Sequence, residues 1–220
     1  MRIETFAMER LQSRWEHVVD CDLSESGARA VSLAELTDWG LDLRELLVTP
    51  LGYSQTNGTA ALRDSIAALY PGATCDHVLV TNGTAEANYV VFAALLADAH
   101  PSARCAMELP NYMQAAGLTR YWARGGVETF HLRFDQAAAA THGGWRLGWE
   151  EVERVVRPGT TAVYITHPNN PTGAVLPEPE MRQLAARCDQ VGAWLVVDEV
   201  YLGTEIDRPR SPTFYGMGER

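Results

Sequence analysis

Residues 161–173 read TAVYITHPNNPTG. An apolar run climbs to Ile165 and then stops in a histidine, two asparagines, two prolines and a glycine. A run this continuously apolar fits a strand covered on both faces, which is how strands of a parallel sheet read. The turn that follows carries more polar equipment than chain reversal needs, because glycine and proline alone can make a turn. Two adjacent amide side chains pinned between prolines raise the question of what they hold.

Working outward from this strand, the chain alternates between strand and helix patterns. Upstream, helices are predicted over 59–70, 84–98 and 112–123, with strands over 77–81, 104–108 and 126–132. A short helix is expected near 149–156, just before the quoted strand at 161–166. Downstream, a helix over 178–190 leads to a strand over 193–198, AWLVVD. Such βα alternation predicts an α/β fold, a mostly parallel sheet with helices on both faces. Ahead of it, residues 5–19 place Met8, Leu11, Trp15 and Val18 at helical spacing, and a weaker helical pattern follows near 32–47. The stretch AAAATHGG at 137–144 reads as a surface loop.

Bulk composition excludes several classes. The 220 residues are 46% hydrophobic and 21% charged, as in an ordinary globular domain, and the net charge of −10 argues against a nucleic-acid surface. No apolar run approaches membrane-spanning length and no signal-peptide pattern opens the chain, so a cytoplasmic location is expected, with no membrane partner. Cys21, Cys75, Cys105 and Cys188 show no CxxC spacing and read as buried thiols, with no metal site. All 18 basic residues are arginine. The acidic strand LVVDE resembles that of P-loop hydrolases, but a phosphate loop ending in lysine is ruled out. There is also no G-x-G-x-x-G, no G-x-S-x-G and no H-E-x-x-H.

In open parallel sheets ligands bind beyond the carboxyl ends of the strands, so the residues following each strand carry the information. Asn82-Gly83-Thr84-Ala85-Glu86 opens a helix and could offer an anion its free N–H groups, or simply use Thr84 as an N-cap. Tyr112, after Leu109-Pro110-Asn111, could stack on a planar ligand or pack in the core. Asp198, ending a buried strand, needs a partner, which could be a ligand cation, an arginine or the N–H groups of the next turn.

Together, NGTAEA, the tyrosine of PNY, HPNNPTG and VVDEVY stand in the order and at the approximate spacing of the pyridoxal-phosphate-dependent aminotransferases of fold type I, class I/II. The resemblance covers essentially the whole chain. It implies the three-layer α/β/α large domain of fold-type-I enzymes. Residues 1–47 would form an N-terminal arm and part of the small domain, and 48–220 the N-terminal part of the cofactor-binding large domain. It further implies that the N–H groups of Thr84 and Ala85 hold the phosphate and that Tyr112 stacks on the pyridine ring. Asn170 and Tyr201 would donate to the ring's phenolic oxygen, and Asp198 would pair with the protonated ring nitrogen. Tyr53 matches the tyrosine that reaches the phosphate of a neighbouring subunit, which implies a homodimer. Gly27 matches the glycine of the segment lying along the substrate. The opening, through SESG, also looks like that of capreomycidine-synthase-like enzymes.

The sequence departs from the family in one respect. Family members bind the cofactor aldehyde through a lysine in an S-x-x-K segment beyond the DE-x-x-Y motif, and grip the substrate carboxylate with a later arginine. These residues have no counterpart here, so no catalytic residue is assigned. The resemblance implies transfer of an amino group between an amino acid and a 2-oxo acid in the complete enzyme. The alternatives are a lyase or cyclase acting on an amino acid, or a catalytically inactive cofactor-fold module.

Overall fold

A computed structural model describes residues 3–139, 144–206 and 209–219. Five strands form one sheet in the order β3-β2-β1-β4-β5. They are β1 (Arg104–Leu109), β2 (Val127–Phe134), β3 (Trp145–Leu147), β4 (Thr160–Thr166) and β5 (Trp194–Asp198). β1 runs parallel to β2 and β4, and β4 parallel to β5; only β3 is antiparallel, against β2. The quoted stretch is thus an inner strand, and its C-terminal end lies between those of β1 and β5.

Both faces are covered, as the alternation of side chains along a strand demands. Cys105 and Met107 of β1 and Ala162 and Tyr164 of β4 face α5 (Thr84–Leu96) and α6 (Gln114–Trp122), packing on Phe92, Leu96 and Leu118. Ala106, Val163 and Ile165 face the other way, onto α7 (Trp149–Val155) and α8 (Glu178–Val191), with Val152, Leu184 and Cys188 in the same cluster. α8 starts with a proline in its first turn and stops at Gly192, whose left-handed φ of 72° closes the helix and lets the chain turn into β5.

The N-terminal third is looser. α1 (Ala7–Trp15), α2 (Leu33–Asp38) and α3 (Leu43–Val48) bury no residue. The single helical pattern expected over 32–47 is two helices, because Gly40 takes a φ of 104° between them. α4 (Ala60–Ala67) follows, capped by the Thr59 hydroxyl, which accepts the Leu62 N–H at 3.3 Å.

Other expectations need correction. Residues 77–81 are not a strand: 75–77 form a 3-10 turn, Val78 is extended, and 78–81 join no ladder. The reason is the lack of a neighbouring strand at that place. Val80 N–H donates to Asn57 O at 3.1 Å, and a cavity of about 790 Å³ separates His77 and Thr84 from the β5 residues Trp194 to Asp198. β3 is not among the predicted strands, because three residues carry no measurable period; Trp145 is held by edge-to-face contact with Phe134 at 5.4 Å. Of the four thiols only Cys105 and Cys188 are buried, while Cys21 is exposed and Cys75 intermediate. Residues 140–143 of the expected surface loop lie outside the described residues.

Ile165 is fully buried at the centre of the sheet. Ile165→Ala is expected to lower the unfolding free energy by about 2–5 kcal/mol, read from the shift in the urea midpoint.

Candidate active site at the strand ends

Beyond β4 and β5 the chain brings together two of the residues singled out from sequence. The Asn170 side-chain amide donates to the Tyr201 hydroxyl oxygen at 3.4 Å. The same hydroxyl lies 2.7 Å from the Ser26 hydroxyl, so the N-terminal segment reaches this corner too. A cavity of about 390 Å³ opens here, lined by Ser26, Asn169, Asn170, Tyr201 and Glu205. Gly27 lies beside it on an exposed turn, its N–H donating to Glu25 Oε1 at 2.5 Å.

Asp198 ends β5 and is only 8% exposed. Its Oδ1 accepts the Val200 N–H at 3.1 Å, and its Oδ2 accepts from the Tyr164 hydroxyl at 3.1 Å and the Asn88 amide at 3.4 Å. The turn-capping role therefore holds. No arginine pairs with it, nor does any other cation among the described residues. A buried carboxylate supported by neutral donors alone retains its attraction for a cation. Its field also acts on Tyr164, whose phenol is pushed above the usual range first by burial and then by Asp198.

At the start of α5, Gly83 occupies the cap position with a φ of 85° and offers no side chain. Thr84 is therefore the first helical residue rather than the cap. The Thr84 and Ala85 N–H groups have no hydrogen-bond partner among the described residues. Glu86 turns back to accept from Asn82 N–H at 2.6 Å and from its side-chain amide at 3.0 Å. Thirteen residues of aligned peptide dipoles stand behind these free N–H groups, so this end attracts an anion.

Tyr112 is half-buried and meets Phe6 edge-to-face, with ring centroids 4.8 Å apart. Its hydroxyl donates to Glu9 of α1. Burial raises its ionisation above the ordinary phenol range; the Glu9 bond and charge add to this, followed by Tyr201 and Asp198. Tyr53, by contrast, is wholly exposed and joins none of these groups.

A polar layer sits beneath. Glu108 of β1, Asn111, Thr166 and Asn169 are all buried and hydrogen-bonded to one another. His167 is also buried. Its Nε2 accepts the Leu176 N–H at 3.1 Å, and burial pulls its pKa down to about 4. The peptide bonds before Pro110, Pro168 and Pro171 are cis. Sequence reasoning passed over Glu9, Ser26, Asn88, Glu108 and Tyr164. Each lies within a helix, strand or turn whose pattern explains it locally, so only the tertiary fold reveals its second role.

Residues 32–216 match the family described as aminotransferase class I and II. The chain belongs to that family. Among its aminotransferase relatives, a valine–pyruvate aminotransferase of Mycobacterium tuberculosis is 32% identical over 169 residues, covering 72% of this chain and 39% of that protein. A PLP-dependent aminotransferase structure from Streptococcus suis superposes with a TM-score of 0.77 at 26% identity, covering 91% of this chain and 52% of the other. The PLP-dependent cyclase OrfR superposes with a TM-score of 0.73 at 29% identity, covering 90% of this chain and 49% of its own. The chain spans about half the length of these solved structures.

Pyridoxal phosphate is the cofactor of this aminotransferase fold. The donor set fits it. An anion needs free N–H groups and a pyridinium needs a buried carboxylate lacking a cation; among the described residues Thr84 and Ala85 offer the first and Asp198 the second.

Two outcomes follow from the electrostatics. Glu9→Gln removes a negative neighbour, so Tyr112 should ionise at lower pH than in the wild type in an ultraviolet difference titration. His167 has its folded pKa depressed from 6.5 to about 4, so stability is lost as pH falls through that window. The unfolding midpoint of His167→Gln should fall less steeply than that of the wild type between these pH values.

Proposed function

We propose that this aminotransferase chain forms the non-covalent half of a pyridoxal-phosphate site, in an enzyme that moves an amino group between an amino acid and a 2-oxo acid. The observation that carries the reading is Asp198, a buried carboxylate with neutral donors on both oxygens and no cation beside it among the described residues. When bound, the cofactor supplies an electron sink that stabilises negative charge on the substrate's α-carbon.

The residues of this chain bind and orient that group. Thr84 and Ala85 N–H groups hold the phosphate at the start of α5, and Asp198 holds the proton on the ring nitrogen. Tyr164 and Asn88 keep the Asp198 carboxylate in place by donating to Oδ2. Asn170 and Tyr201 turn their polar ends to the ring's phenolic oxygen, and Tyr112 covers one ring face. Gly27, beside Ser26, lies along the substrate. Tyr53, fully exposed in its own chain, reaches the phosphate of a second copy in a homodimer. Among the described residues no helix is long and apolar enough to cross a membrane, and the proposed site of action is the cytoplasm.

A second reading is favoured by one observation: the solved relative OrfR is a PLP-dependent cyclase at 29% identity. In that reading the same residues hold the same group and the amino acid is cyclised instead of losing nitrogen.

Titration of the chain with pyridoxal phosphate, followed by absorbance, tests the site. Binding should weaken about 10-fold or more in Asn170→Ala, the loss of about 1.4 kcal/mol expected for one good hydrogen bond. It should weaken further in Asp198→Ala, and pyridoxal without phosphate should bind more weakly than the phosphate ester. Equal binding by all three would sink the reading. In the active enzyme, incubation with amino acids and pyruvate should yield alanine for transfer, whereas a cyclic product without alanine selects the second reading.

A further inference from the structure

Glu108 ends β1 beneath the candidate site, and nothing in the proposed reaction uses it. It is 1% exposed and pairs with no cation among the described residues. Its Oε2 is the meeting point of two loops. From the β4 side it accepts the Asn169 amide at 2.9 Å and the Thr166 N–H at 3.2 Å. From the β1 side it accepts the Asn111 amide at 3.5 Å. Cross-links join the same loops above it: Asn169 Nδ2 donates to Pro110 O at 3.0 Å, and the Thr166 hydroxyl donates to Asn111 Oδ1 at 2.7 Å.

Asn169 is thereby saturated. Its amide nitrogen serves Glu108 and Pro110, while its Oδ1 accepts the Thr172 hydroxyl at 2.7 Å and the Thr172 N–H at 3.3 Å. Its backbone closes the turn through Ala174 O at 2.9 Å and Gly173 N at 2.8 Å. One residue on from this fixed point is Asn170, and one residue on from Asn111 is Tyr112.

We propose that Glu108 is a positioning residue that locks Asn170 and Tyr112 at one spacing, acting through Asn169 and Asn111. The proposal rests on the reading of those two side chains as ring contacts. A carboxyl suits the task because its carbonyl oxygen carries two lone pairs and no hydrogen of its own, so N–H donors from both loops can converge on it. Alternation along the strands puts Glu108 on the face of Ile165 and of His167, the residue after β4, whereas Tyr164 and Asp198 belong to the opposite face; no titratable group hydrogen-bonds to Glu108 among the described residues. Burial raises the Glu108 pKa to about 8, against the pull of the Thr166 and Asn169 donors. At neutral pH the lock is therefore an uncharged acid, which glutamine can imitate. With a folded pKa raised from 4.5, the contribution of Glu108 to stability is lost as pH rises from there to about 8.

The test compares the wild-type chain with Glu108→Gln, Glu108→Ala and Ile165→Ala. Two readouts are used: the NMR side-chain amide signals of Asn169 and Asn170 without ligand, and pyridoxal phosphate affinity at pH 7 and 9. Glu108→Ala should collapse the slow exchange of the Asn169 amide, broaden Asn170 and weaken affinity about 10-fold, roughly one lost hydrogen bond. Glu108→Gln should match the wild type at pH 7 and lack its change between pH 7 and 9. Ile165→Ala, a purely packing lesion, should leave the Asn170 signals in place. The proposal is overturned if Glu108→Ala leaves both readouts unchanged, if Glu108→Gln fails alongside it at pH 7, or if Ile165→Ala perturbs Asn170 equally. Should the alanine variant not fold, the pH response of the glutamine variant decides alone. A wild-type chain that binds no pyridoxal phosphate counts against the cofactor reading, while the ligand-free signals still decide on Glu108.

Discussion

β4 is flanked by strands on both edges and covered by helices on both faces, so it has no freedom to shift without disturbing two cores at once. Slipping a strand by one residue would exchange Tyr164 and Ile165 between opposite layers, and each layer is packed to fit one of them. The fixed register sets the height at which the strand ends, and hence the height of the turn that carries Asn169 and Asn170. Parallel pairing then brings the ends of β1 and β5 to the same edge. The chemistry gathered there is a consequence of that packing, and local turn propensity has little say in it.

The edge is polarised. Among the described residues, one corner has a buried carboxylate without a counter-cation, and another has the free N–H groups of a long helix. A ligand with a cationic ring and an anionic tail satisfies both at once, while a simple anion or cation satisfies only one. The middle of the edge is held by neutral amides and hydroxyls, which orient a polar group without adding net charge. Recognition at such a site depends on the separation of opposite charges, and the acidic balance of the whole chain contributes little to it.

Much of this was legible in the sequence, and the failures share a physical cause. β4 was visible because burial on both faces writes an apolar run into the chain, and β5 carries a similar run, WLVV; β1 and β2 contain charged residues and were placed by the strand–helix alternation around them. Residues 77–81 wrote a similar run, HVLVT, yet form no ladder, because strand character is completed only by a neighbour. β3 was invisible because three residues cannot display a period. Asn170, Tyr201 and Asp198 were singled out because they stand at or beyond strand ends, the place where polar residues cost most to position. Glu108 and Asn88 were missed because each sits inside a regular element, where a single polar residue looks like noise. Glu9 was missed for the opposite reason, since a carboxylate on the polar face of an exposed helix is what solvent alone would select.

Asn88 gives α5 a further property. Thr84 and Asn88 stand four residues apart, about one helical turn, on a helix that offers N–H groups at its start and grips Asp198 from its second turn. The anion-attracting corner is carried by α5 and the cation-attracting corner by β5, with the Asn88 amide as a tie between them. Rocking of α5 on the sheet would change their separation and break that tie, so the packed layer between helix and sheet is what fixes the distance. A bound molecule is measured by its length, and one methylene more or less between its charges would leave one end unmatched.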